Sequence, residues 1–123
     1  MKILVADDSR VMRRIIVRAL RQAGYGGHEV VEAENGRETV DLVATERPDL
    51  VVSDWHMPVL NGIDALAELR ASGSTVPFGF VTSDGSDTVR RRACAAGALF
   101  LIAKPFRAEA LRDALDGVLA ARP

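Results

Sequence analysis

The chain has 123 residues, 48% of them apolar and 27% charged, with a net charge of -1. This suits one globular domain with a proper core and leaves no room for a second. The near-zero charge excludes a general pull toward nucleic acid or anionic membrane. No apolar run near the N-terminus reaches the length of a signal core or a membrane span, so a cytoplasmic protein is expected. Cys94 is the lone cysteine, which excludes an internal disulfide and fits a reducing compartment.

Ile3-Leu4-Val5-Ala6 is an apolar run stopped by Asp7-Asp8. Runs of this kind, apolar without alternation, indicate a parallel sheet covered on both faces. Ser9 is the expected N-cap of a helix over Arg10 to Ala23, with Met12, Ile15, Ile16, Ala19 and Ala23 inward and Arg13, Arg14, Arg18 and Arg21 elsewhere. Gly24-Tyr25-Gly26-Gly27 ends it. His28 to Ala33 reads as a more polar second strand at a sheet edge. Asn35-Gly36 opens a second helix with Val40, Val43 and Ala44 inward, closed by Pro48.

Leu50 to Val52 is a third strand that delivers Asp54, with Pro58 and Asn61-Gly62 marking the loop after it. Ile63, Leu66 and Leu69 mark a third helix, ending at Ser72-Gly73-Ser74. Pro77 to Val81 is a fourth strand leading to Thr82, in which Gly79 signals the close approach of another backbone. Asp87 is the expected cap of a fourth helix through Ala96, with Gly97 as its stop. Leu99 to Ala103 is a fifth strand ending at Lys104-Pro105, and Leu111, Leu115, Val118 and Leu119 mark a final helix. Five strands alternating with five helices predict a doubly wound α/β sandwich with right-handed crossovers, as a single domain over residues 1–123.

In such sheets ligands bind at the carboxyl ends of the strands. Four of those ends carry Asp7-Asp8, Asp54, Thr82-Ser83 and Lys104-Pro105. If the first strand neighbours the third, three carboxylates converge, and either one is forced neutral or a cation binds. Oxygen donors with water suit Mg²⁺, and nothing offers the thiolates or paired histidines that zinc prefers. A carboxylate beside Mg²⁺, a lysine and a hydroxyl forms a phosphoryl-accepting centre. Asp54 is the nucleophile, Lys104 neutralises charge on the phosphoryl oxygens, and Thr82 donates to another oxygen.

The set Asp7-Asp8, Asp54, Thr82 and Lys104-Pro105 resembles the receiver domain of two-component response regulators over essentially the whole chain. Asp8-Ser9-Arg10-Val11-Met12-Arg13-Arg14 and Ser53-Asp54-Trp55-His56-Met57-Pro58 are most similar to single-domain chemotaxis receivers. The resemblance implies a flavodoxin-like strand order 2-1-3-4-5 and a metal held by Asp7, Asp8, Asp54 and the His56 backbone carbonyl. It further implies a phosphohistidine donor on a sensor kinase or phosphotransfer protein, and a protein target that responds to phosphorylation. No output domain is expected, and the chain should be a monomer or a weak symmetric dimer.

Two departures stand out. Receivers often carry an aromatic switch residue where this chain has Leu101, with Phe100 turned to the opposite face. Chemotaxis receivers often carry an amide and a glutamate where this chain has His56 and Asp84, which are therefore expected to tune the lifetime of the phosphorylated state. Arg90 and Arg91 on the fourth helix, with Leu101 on the fifth strand, opposite Glu109, Asp113 and Asp116 on the last, are the expected output surface. Cys94 and Met12 read as packed side chains, and Trp55 as partly exposed beside the site.

Alternative roles on the same fold are a stand-alone phosphate sink or a relay intermediate without an output partner. A haloacid-dehalogenase-like phosphatase would need an acid two residues after its nucleophile on the first strand. Ser9 stands there relative to Asp7. A flavin carrier would place its phosphate against Asp7-Asp8, which would repel it.

Overall fold

The computed structural model describes residues 1–120. The elements are β1 (Lys2–Ala6), α1 (Arg10–Leu20), β2 (Glu29–Ala33), α2 (Gly36–Glu46), β3 (Leu50–Ser53), α3 (Gly62–Ala71), β4 (Phe78–Thr82), α4 (Asp87–Ala95), β5 (Leu101–Ala103) and α5 (Ala108–Ala120). All strands run parallel in the order β2-β1-β3-β4-β5. The polar second strand is an edge, as its sequence predicts.

Strand alternation sorts the core into two layers. Ile3, Val5, Leu50 and Val52 pack against Ile16 and Leu20 of α1 and Leu111, Leu115 and Val118 of α5. Their alternate neighbours Leu4, Ala6 and Val51 pack against Val43 of α2, Ile63, Leu66 and Leu69 of α3, and Val89 and Ala93 of α4. The chain leaves β1 in one direction for β2 and returns past it to β3. Right-handed crossovers then put α1 on the opposite face from the next three helices and open a crevice between the carboxyl ends of β1 and β3.

Caps account for the helix starts. Ser9 Oγ accepts the Met12 amide, Asn35 Oδ1 accepts the Glu38 amide, and Ser86 Oγ accepts the Val89 amide. The cap of α4 is thus Ser86, and Asp87 is its first helical residue. An acid there still complements the helix dipole, but the short hydroxyl reaches the orphan N–H groups from the extended residue before it.

Other positions depart from expectation. The buried face of α1 is Arg13, Ile16, Ala19 and Leu20, while Ile15 is 48% exposed and Met12 half-buried. The helix is therefore rotated by about one position from its apolar stripe, because Arg13 finds acceptors inside. It also stops at Leu20 and passes into a wider turn, Arg21–Tyr25, where Gly24 takes φ 98°. Ala44 is exposed, while Thr39 is buried with its hydroxyl donating to the Asn35 carbonyl. Cys94 is exposed because α4 buries Val89 and Ala93, four residues apart. What approaches Gly79 is a ring, not a backbone: a Cβ there would lie 2.2 Å from Phe100 Cζ.

Candidate functional site

Register builds the site. The Asp54 amide donates to the Ala6 carbonyl at 2.8 Å, and the Asp7 amide donates to the Ala33 carbonyl at 3.1 Å, so β1 and β3 release their aspartates side by side. Lys104 comes from the end of β5, across β4, and its Nζ lies 3.0 Å from Oδ2 of both Asp7 and Asp54. The other Asp7 oxygen accepts the Ser9 amide at 2.9 Å, and the other Asp54 oxygen accepts the Trp55 amide at 2.6 Å. Asp8 is exposed, and among the described residues no hydrogen bond or ion pair holds its carboxylate.

The loop after β3 is held against this cluster by a close backbone approach. The Gly62 amide donates to the Trp55 carbonyl at 2.8 Å, and a Cβ at Gly62 would lie 2.1 Å from the Asp54 carbonyl oxygen. No larger residue fits without moving the acceptor. Trp55 is buried at 3% exposure rather than partly exposed: its ring lies against Phe80 at 4.9 Å between centroids and beneath the Arg92 guanidinium at 5.5 Å. Cation–π contact and ring packing give the indole a roof that its loop position in the sequence does not suggest.

Three carboxylates face one ammonium, and the electrostatics record the imbalance. Burial pushes the Asp7 carboxyl above the ordinary carboxylate range, against the pull of the Ser9 amide and Lys104, and Asp54 adds to the push. For Lys104, burial works against the charge, but the hydrogen bonds to Asp7 and Asp54 outweigh it and hold the ammonium above its usual range. Carboxylate oxygens of Asp7, Asp8 and Asp54 lie within 4.8 Å of one another. This donor set is all oxygen, carries excess negative charge and has one open side at Asp8, so it fits a hard divalent cation that keeps part of its water.

Thr82 is fully buried and its Oγ1 accepts the Asp84 amide at 3.3 Å, leaving its hydroxyl proton free to donate. The His56 side chain is exposed, and Asp84 is held below the usual carboxylate range by Ser86 first, with His56 contributing through its charge. Lys104 thus meets Asp7 and Asp54, Thr82 ends the neighbouring strand β4 with its carbonyl accepting the Lys104 amide, and His56 lies close enough to Asp84 to act on its charge.

Among the described residues no ion pair joins Arg90 or Arg91 to Glu109, Asp113 or Asp116. Arg90 is turned back onto its own fold, donating to the Gly85 carbonyl at 3.0 Å and the Leu101 carbonyl at 3.2 Å. Asp113 pairs with Arg112, and Asp116 accepts from the Tyr25 hydroxyl on the other face. Arg91 and Glu109 are exposed, and Leu101 packs half-buried on the α4 side. Local backbone carbonyls satisfy Arg90 more cheaply than ordering two long side chains across solvent. Sequence reasoning missed Arg13, whose buried guanidinium donates to the Asp7 carbonyl; the only signal was its spacing from Ile16 and Leu20.

A parallel sheet of this order, with an acid pair after β1, an aspartate after β3 and a lysine after β5 at one crevice, is the arrangement of a receiver domain. The chain belongs to the response regulator receiver domain family, whose pattern matches residues 3–116. It is 38% identical to the chemotaxis protein CheY1 of Helicobacter pylori, covering 97% of each chain. It is 39% identical to the response regulator MprA of Mycolicibacterium vanbaalenii over 96% of this chain and 50% of that protein. Among solved structures, Vibrio cholerae chemotaxis protein CheY4 superposes with a TM-score of 0.83 at 32% identity, covering 95% of this chain and 97% of the other. The response regulator domain of Thermotoga maritima CheB gives 0.86 at 27% identity over 100% and 98%. No helix among the described residues is long and apolar enough to cross a membrane.

Proposed function

We propose that Asp54 accepts a phosphoryl group from a phosphohistidine donor and that the modified chain presents an altered protein-binding surface. The observation that carries this reading is Lys104 Nζ at 3.0 Å from both Asp7 and Asp54, an ammonium held where phosphoryl charge would develop. As the Asp54 carboxylate attacks phosphorus in line, the phosphorus–nitrogen bond of the donor breaks and the imidazole leaves. Lys104 donates to one equatorial oxygen, and the Thr82 hydroxyl to another. Asp7, Asp8, Asp54 and the His56 carbonyl would hold Mg²⁺, which when bound neutralises charge on the transferring group. Asp7 and Lys104 orient the acceptor, while buried Trp55 and Phe80 keep water from its inner side. His56 and Asp84 border the approach of the water that ends the phosphorylated state.

Two surfaces suit the partners. A groove of about 410 Å³ lined by Met12, Ile15, Pro105 and Phe106 opens beside Lys104 and gives a donor domain an apolar seat next to the acceptor. Around Leu99, which is 56% exposed, the α4–β5–α5 face carries depressions of about 180 and 320 Å³ that suit a phosphorylation-dependent target. Labelling with acetyl phosphate or a phosphorylated donor tests the acceptor. Asp54→Asn or removal of Mg²⁺ is expected to abolish labelling, and incorporation into Asp54→Asn at the wild-type rate overturns the assignment.

A further inference from the structure

Among the described residues Arg13 is the only buried basic side chain, at 6% exposure. A guanidinium taken out of water needs strong acceptors. Its Nη1 donates to the Asp7 carbonyl at 2.7 Å, its Nε donates to Glu32 Oε1 at 2.8 Å, and its Nη2 lies 3.8 Å from Glu34 Oε1. The group thus ties the β1–α1 turn to the end of the edge strand.

The carbonyl it grips belongs to the peptide that joins Asp7 to Asp8. Asp7 is otherwise fixed through its amide on Ala33 and its carboxylate on Ser9 and Lys104. Asp8 has no such side-chain anchor, so the plane of that peptide sets the direction from which its carboxylate projects. A fixed positive charge beside a cation site should repel the cation. Glu32 and Glu34 balance that charge while leaving the N–H fork to do its work.

We propose that Arg13 is a positioning residue for the acidic site, and that Glu32 and Glu34 neutralise it so that it orders Asp7-Asp8 without repelling a divalent cation. The proposal rests on the cation reading of the three aspartates. It separates geometry from charge by sign. If Arg13 acted only as a nearby charge, removing it would tighten cation binding; if it positions Asp8, removing it weakens binding.

The test is an Mg²⁺ titration of the intact chain followed by Trp55, the sole tryptophan, whose amide donates to the acceptor carboxylate. Urea unfolding of each variant runs alongside as a check on folding. Arg13→Gln is expected to raise the Mg²⁺ dissociation constant roughly tenfold, the size usual for loss of a group that orients a ligand. Arg13→Lys, which keeps the charge and a donor group but not the planar fork, should recover part of that loss. Glu32→Gln leaves the guanidinium in place but unbalanced, and should weaken binding roughly two- to fivefold at low salt, with the loss shrinking as salt is added. Equal or tighter binding in Arg13→Gln overturns the proposal. If Arg13→Gln does not fold, a salt-independent or absent effect in Glu32→Gln overturns it instead. Wild-type protein with no response to Mg²⁺ refutes the cation reading beneath it, an outcome distinct from wild-type binding that the variants share.

Discussion

Single residues in the β3–α3 loop show how local conformation and site geometry compete. Val59 is 79% exposed yet holds φ 69°, a region that costs a β-branched side chain dearly. It buries almost nothing in return, so the strain is imposed by the loop that carries Asp54 past Pro58 to Gly62. Asn tolerates this conformation, and Val59→Asn is expected to stabilise the chain by about 0.5–1 kcal/mol. Urea unfolding measures it, and a loss of stability would mean that Val59 makes contacts worth more than its strain. At the same scale, Asp54 and Lys104 were legible in the sequence because each follows an apolar strand directly. Arg13 was not: hydropathy counts an arginine as surface, and its reason to be inside lies in acceptors from other elements, the Asp7 carbonyl and the Glu32 carboxylate.

Elements are joined by contacts that their own periodicity does not reveal. The wider turn after α1 brings Tyr25 into the core at 8% exposure, with its hydroxyl donating to Asp116 of α5. Burial first, and then the Asp116 carboxylate, push its ionisation from 10.0 up to about 12. A phenol whose pKa is raised by folding keeps its proton longer in the native state than in the unfolded chain. Its contribution to stability is therefore complete below about pH 10 and is lost as pH rises from there through about 12. Tyr25 is the only tyrosine, so the tyrosinate absorbance reports it alone. Native protein should titrate near 12, urea-unfolded protein near 10, and Asp116→Asn in between. A native titration near the unfolded value would show that the α1 turn and α5 are not joined this way. The helix pattern placed α5 but not the wider turn that holds Tyr25, and the hydrogen bond joining them spans 91 positions of sequence.

Over the whole molecule, the acidic crevice sets stability against function. Asp7, Asp8 and Asp54 crowd together with one lysine, so without a cation the fold carries like-charge repulsion at the meeting of β1 and β3. A ligand that binds only the native state stabilises it by mass action, about 1.4 kcal/mol at ten times its dissociation constant. Mg²⁺ is therefore expected to raise the urea midpoint of the wild-type chain by that mechanism. Asp8→Asn should be more stable than wild type without Mg²⁺, by up to about 1 kcal/mol, and should gain little when Mg²⁺ is added. Denaturation curves with and without the ion decide it, and an equal gain in both proteins would remove Asp8 from the cation site.

The number, order and type of the elements followed from the sequence alone, because buried parallel strands are continuous apolar runs and their helices carry caps and a 3.6-residue stripe. The same patterns put Asp7, Asp8, Asp54, Thr82 and Lys104 at strand ends, and resemblance supplied the strand order that brings them together. Tertiary structure decided the rotation of α1, the burial of Arg13 and Trp55, the exposure of Cys94 and the inward turn of Arg90. Each of these depends on which acceptor or ring lies opposite, and a partner far along the chain leaves no trace in local periodicity.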